Sequence, residues 1–259
     1  GDPLALELGE GIARYHLQHN TRPDGRLSEE INVPNNIGHN HSYMGTLRGL
    51  ALYGLLTGQR EYVERAGITF DVGVRQVVWE SGWASHDLGK ARFSDRLGNP
   101  VPEVASPGDA AQLGLWLALR AGYTRYLDDV QRLVVARLLP SQIVEVPEPS
   151  GRQEDGQFQH NDGERAVGAY GGVHATPHGG KTSVIDVTAA VLHTLTDIYT
   201  HIVTRDAAGL ALHLHLDYQD ESVSVAVQRG KRAVVTVNAQ RRENLRLRVP
   251  GWAPADSVR

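Results

Sequence analysis

Apolar residues recur with a helical period in six stretches of the chain, and then with a strand period towards its C-terminal end. The pattern predicts helices near 3–19, 41–57, 59–79, 107–122, 124–142 and 182–203. Start and stop signals agree. Asp2-Pro3 offers a cap followed by a proline in the first turn, Ser106-Pro107 repeats it, and Gly58 and Gly122 sit where C-terminal glycines belong. The first, third and fifth helices read as amphipathic. In the third, Tyr62, Val63, Ala66, Phe70, Val74 and Val77 form one stripe, while Glu61, Glu64, Arg65 and Arg75 fall outside it. The second, fourth and sixth are apolar nearly all round, the fourth through Leu113, Leu115, Trp116, Leu117 and Leu119, the sixth through Val184, Ile185, Val187, Val191, Leu192, Leu195 and Ile198. A helix apolar on every side must be covered on every side. Strict alternation of the two kinds predicts a mostly α fold, the outer and inner helices of a partial (α/α)6 toroid.

The connections alternate as well. Two are short, centred on Gly58 and Tyr123, and three are long, spanning about 20–40, 80–106 and 143–181. Long structureless connections are usually functional. Each leads from an outer helix into an inner one, so all three are expected to open at one end, around the N-termini of the inner helices and their free N–H groups. After residue 208 the period becomes two. Leu210, Leu212, Leu214 and Leu216 alternate with polar or small residues, followed by Val223, Val225 and Val227, then Val235 and Val237, then Leu245, Leu247 and Val249. These read as four short strands, the start of an antiparallel β-sandwich. The expected division is a toroid domain over 1–205 and a sandwich start over 206–259. Six helices are half the complement of a full toroid and the strands too few for two sheets, so both ends read as cut. Residue 1 is Gly rather than Met.

Composition narrows the partners. The net charge is −4 with signs interspersed, which excludes the clustered basic face of a nucleic-acid binder. No apolar run approaches the ~18 residues of a membrane span. The chain has no cysteine, which removes disulfides, thiolate nucleophiles and zinc–sulfur centres together. No metal or other cofactor is expected.

The histidines point to a bowl. Of twelve, His39, His86, His160, His174 and His178 lie in the long connections, and His41 opens the second helix. Asn35, Asn36, Trp83, Asp87, Glu103, Asp109, Asp162 and Glu164 lie among them. Polar groups beside aromatic rings suit a carbohydrate, whose hydroxyls need hydrogen-bond partners and whose faces stack on rings. His39, His41, Asn36, Trp83, His174 and His178 are the candidate substrate contacts. Glycoside hydrolysis needs two carboxylates about the bond, for which Asp87, Glu103 and Asp109 are available, with His86 beside Asp87. Each has a plainer reading: Asp109 as a first-turn helix charge, Glu103 as a solvated loop residue. In Gly38-His39-Asn40-His41-Ser42, Ser42 or Asn40 can equally be a helix cap. His174 and His178 could hold a metal with His160 or Asp162. His213 and His215 read as exposed strand positions, and Trp252 as a core anchor.

The stretch Gly38-His39-Asn40-His41-Ser42, followed by Leu50 to Gly58, resembles the β-L-arabinofuranosidase-like enzymes of glycoside hydrolase family 127. So do Gly82-Trp83 with Leu88-Gly89, Tyr126-Leu127-Asp128-Asp129-Val130 through Gln142, and Leu245 through Trp252. The pieces run in order along most of the chain. The resemblance implies an α/α toroid followed by β-sandwich domains, and a carbohydrate substrate of plant or microbial origin. It also implies a Glu-x-Cys motif opening an inner helix and a Cys-Cys pair entering a later one, where one thiolate is the nucleophile and zinc is held by the cysteines and the glutamate. This chain departs there, with Ser106-Pro107-Gly108 at the first place and Gly179-Gly180-Lys181-Thr182 near the second. The acid/base glutamate implied after Gly82-Trp83 falls at His86, next to Asp87. A glycan-binding relative without catalysis, and a lyase-type toroid using His86 with Lys90 or Arg92, remain alternatives.

Overall fold

The computed structural model describes residues 2–27, 38–86, 88, 103–144, 167–170 and 185–254. Among the described residues six helices stand in the expected order. They are α1 (Pro3–His19), α2 (Asn40–Thr57), α3 (Arg60–Thr69, continued by a π turn Phe70–Val74 and Arg75–Val77), α4 (Ala105–Leu119), α5 (Tyr126–Leu133, continued by a π turn Val134–Leu138 and a 3-10 turn Leu139–Ser141) and α6 (Ile185–Thr200). Asp2 caps α1, its Oδ1 accepting from the Leu4 N–H at 2.9 Å. Gly58 and Gly122 take the left-handed φ of 72° and 83° that ends a helix. Two of the boundaries that differ from the periodicity change a reading. The fourth helix begins at Ala105, and Ser106 does not cap it but donates to Glu103. The sixth ends at Thr200, and Val203 already pairs with Leu212 in a strand.

Helix α4 packs against α2, α5 and α6, while α3 and α1 pack against α2. The helices read as apolar all round thus lie side by side, with α3 and α5 behind them. Every residue of α4 from Ala105 to Ala118 except Trp116 is buried. Two departures from the pattern stand out. Leu192 and Tyr199 of α6 are exposed. On α1, Leu4, Leu8, Ile12 and Tyr15 are exposed and Ala13 alone is buried. Periodicity specifies which residues share a face; it does not supply the neighbour that covers it.

The contact between α2 and α3 turns on Gly54. A Cβ there would lie 2.8 Å from the Gln59 carbonyl and 2.8 Å from Val63 Cγ2. Gly54→Ala would gain about 1 kcal/mol of helix propensity, yet overpacking costs about 1–3 kcal/mol. The backbone carbonyl of the tight turn cannot rotate away as a side chain would. The expected result is a net loss of up to about 2 kcal/mol in denaturant unfolding. An unchanged midpoint would mean that α2 and α3 can separate at little cost.

The C-terminal part holds β1 (Val203–Asp206), β2 (Gly209–Leu212), β3 (Tyr218–Gln219), β4 (Val223–Gln228), β5 (Val234–Ala239) and β6 (Leu245–Leu247). They form two three-stranded sheets, ordered β1-β2-β6 and β3-β4-β5. β6 pairs with β2 in parallel, so the arrangement is not wholly antiparallel. Leu210, Leu212, Leu214 and Leu216 are all buried, but the chain leaves strand geometry after Leu212. The alternation therefore does not put the intervening histidines in solvent. His215 is buried, with Nε2 2.9 Å from the Arg248 carbonyl, and His213 is half-buried, with Nε2 2.7 Å from Thr204 Oγ1. Burial pushes both imidazoles below their ordinary pKa. Trp252, expected as a core anchor, is 69% exposed. The anchor between this part and the helices is Arg248, which bonds Asp128, Gln131 and the His213 carbonyl.

Candidate functional site

The chain entering α2, the turn after α3 and the chain entering α4 are tied by backbone hydrogen bonds. Asn40 N–H donates to the His86 carbonyl at 2.8 Å, Leu88 N–H to Gly38 at 2.7 Å, and Glu103 N–H to Ala84 at 2.9 Å. Buried Asn40 adds a side-chain bond to the Ser85 carbonyl at 2.9 Å. The first two long connections therefore meet at the N-termini of two neighbouring helices. Of the third, residues 143–144 and 167–170 are described. Tyr170 pairs with Gln142, and its backbone N–H and carbonyl meet the Thr188 hydroxyl.

This junction brings His39, His86 and Glu103 together. His39 Nε2 lies 2.9 Å from Glu103 Oε1, and its Nδ1 lies 3.0 Å from Ser42 Oγ. The His39 and His86 rings stack with centroids 4.3 Å apart. Glu103 is 1% exposed, and its Oε2 accepts from Ser106 Oγ at 2.7 Å. Burial by itself would raise the Glu103 pKa; hydrogen bonds from His39 and Ser106, with the charges of His39 and His41, outweigh it and hold the carboxyl below its ordinary value. Glu103 is thus an ionised, buried carboxylate. It is not the solvated loop residue that is the plainer reading of its sequence position.

Beside it runs a polar ladder across the three neighbouring helices. His41 Nδ1 bonds Asp109 Oδ2, and Arg48 lies 3.2 Å from the other Asp109 oxygen while also bonding Gln112. Gln112 Nε2 donates to Asp197 Oδ2 at 2.9 Å, which also accepts from Trp116 Nε1 at 2.7 Å. Asp109 is completely buried and lies beyond the first turn of α4, so it is not the first-turn helix charge of its plainer reading. Its hydrogen bond raises the His41 pKa against the opposing effect of burial. Sequence reasoning missed Arg48, Gln112 and Asp197. The available signal was a lone polar residue on an otherwise apolar helix, since a buried polar group needs a partner.

Of the other candidates, Trp83 is half-buried and stacks on Trp79 at 4.6 Å, and Trp79 is 52% exposed. Asp87, Asn36, His174 and His178 lie outside the described residues, as do Asn35, Lys90, Arg92, His160, Asp162 and Glu164. A surface groove lined by Leu4, Glu7, Leu8, Gly11, Ile12, Tyr15 and His16 runs along α1 and contains none of the candidate residues.

No protein-family model matches the chain, and no curated protein matches its sequence. Its fold is similar to that of a glycoside hydrolase family 127 β-L-arabinofuranosidase from Geobacillus stearothermophilus T6 (13% identity, TM-score 0.50, covering 85% of this chain and 36% of that one). It is similar also to a glycoside hydrolase (12% identity, TM-score 0.60, 98% and 47% covered), and to a family 127 β-arabinofuranosidase (12% identity, TM-score 0.59, 97% and 40% covered). The chain has a glycoside-hydrolase-like fold and spans less than half the length of these three structures. The thiolate zinc centre implied by the sequence resemblance does not fit, because the chain has no cysteine.

Proposed function

We propose that the protein is carbohydrate-active, a glycoside hydrolase of the β-L-arabinofuranosidase-like type acting on a plant or microbial glycan, built on an α/α toroid. The observation that carries this is the joining of His39, His86 and Glu103 at adjacent inner-helix N-termini in a chain whose fold is shared with such hydrolases. In this reading His39 and His41 contact sugar hydroxyls, and Trp83 with Trp79 offers a stacking face. Glu103, with both oxygens engaged, orients His39 and holds negative charge beneath the sugar. With no thiol available, chemistry falls to Asp87 and His86, Asp87 as the carboxyl and His86 as the second proton-transfer group. Asn36, His174 and His178 complete the substrate contacts from the other two connections.

The test combines turnover with binding. Arabinofuranosides and arabinose-containing glycans would be titrated against the parent, His39→Ala, Trp83→Ala and Asp87→Asn. The expected result is sugar release by the parent, lost in Asp87→Asn with binding retained. Binding should weaken by about 1 kcal/mol in His39→Ala for each lost hydrogen bond, and by about 1 kcal/mol in Trp83→Ala. Saturable binding without sugar release would replace the hydrolase by a glycan-binding relative. Equal binding by all variants would remove the carbohydrate reading at this site.

A further inference from the structure

We propose that His39, His86 and Glu103 form a binding site for a divalent transition-metal ion of the zinc or cobalt type. Their candidate ligand atoms all lie within 4.8 Å of one another. Zinc holds imidazole nitrogen and carboxylate oxygen at about 2.0–2.2 Å, so two ligands of one ion stand up to about 4.2 Å apart. Closing the present spacing takes side-chain movements of under about 1 Å. The shortest pair, His39 Nε2 to Glu103 Oε1 at 2.9 Å, opens slightly as the ion replaces the proton they share.

What surrounds the three groups is what metal ligands require. A ligating histidine uses its second nitrogen to fix the ring, and a ligating carboxylate is itself hydrogen-bonded. His39 Nδ1 lies 3.0 Å from Ser42 Oγ, and Glu103 Oε2 accepts from Ser106 Oγ at 2.7 Å. The three ligand-bearing segments are clipped by the backbone bonds from Asn40 to His86 and from Glu103 to Ala84. Ligand positions are thereby fixed before any ion arrives. Glu103 is buried, while His39 and His86 are partly exposed, so an ion is bound on one side and open on the other. Two imidazoles and one carboxylate suit zinc, cobalt or ferrous iron rather than calcium or magnesium, which take oxygen ligands. This donor set shares no residue type but the carboxylate with a thiolate centre.

The test is calorimetric titration of zinc into chelator-dialysed protein, with cobalt absorption as a second measurement; neither involves sugar. The expected result is one equivalent of zinc bound by the parent. Affinity should fall at least tenfold in His86→Ala, and about tenfold in Ser42→Ala, which removes only the group orienting His39. Equimolar cobalt should give the visible bands of a low-coordinate nitrogen–oxygen site. Ser42 is exposed, so its variant retains the fold and keeps the test informative if His86→Ala does not. Zinc binding no stronger in the parent than in both variants would overturn the proposal. So would a cobalt spectrum matching the free aqueous ion, or stoichiometric zinc that survives these changes and is lost in His174→Ala/His178→Ala. A protein that binds glycan but no zinc keeps the proposed function and loses this site; one that binds zinc but no glycan does the reverse.

Discussion

Asp109→Ala is expected to lower stability by about 3–5 kcal/mol, the largest effect of any single substitution considered for the helical part. Asp109 is fully buried on the helix packed between α2 and α6, and it faces the Arg48 guanidinium and the His41 imidazole of α2. Removing one member of a buried ion pair leaves the other charged and desolvated, and that penalty is about 3–5 kcal/mol. The remaining partner of Arg48 on α4, Gln112, is neutral. Equilibrium denaturant unfolding of parent and variant measures the difference. A pH series identifies the cause. The hydrogen bond that His41 donates to Asp109 raises the His41 pKa above its ordinary 6.5. The stability it confers is therefore fully present below about 6.5 and is lost as pH rises through the higher folded-state value. Asp109→Asn should abolish this falling limb. A loss under about 1 kcal/mol, or a limb that persists in Asp109→Asn, would mean that water solvates the pair and the packing around it carries the stability instead.

Arg248→Ala is expected to separate the unfolding of the C-terminal strands from that of the helices. Arg248, just beyond β6, has a side chain 12% exposed and bonds Asp128 and Gln131 of α5 together with the His213 carbonyl. Asp128 also accepts from the Gly251 N–H and Gln131 from the His215 N–H, both at 2.8 Å. Deleting the guanidinium strands the Asp128 carboxylate and frees Gln131 at one stroke. The expected cost is about 2–4 kcal/mol, between the values for exposed and buried pairs. Calorimetric scans should then show a second transition, or a melting range wider than the parent's. Arg248→Lys would not restore it, because an ammonium cannot supply the fork that reaches a carboxylate and an amide together. A single transition at the parent's midpoint would show that apolar contacts alone hold the two parts.

Several helix boundaries, the capping at Asp2 and the glycine stops follow from interactions within a few residues, and the sequence is enough to place them. The same holds for the face each leucine of 210–216 chooses, because burial of an apolar side chain depends little on which neighbour covers it. The histidines between those leucines went the other way. Whether His215 is wet or buried depends on Arg248, far along the chain, and no period of two contains that information. Of the candidate site, His39, His86 and Glu103 were legible as residue types in long connections. Their pairing was not, since it is made by backbone bonds between segments dozens of residues apart. The ladder through Arg48, Asp109, Gln112 and Asp197 was hidden for the same reason: each residue is tolerable on an apolar helix only because another helix brings its partner. Local propensity and apolar periodicity are properties of a short stretch of sequence. Charge pairing, hydrogen-bond satisfaction and metal-ligand spacing are properties of distances, and only the tertiary structure sets those.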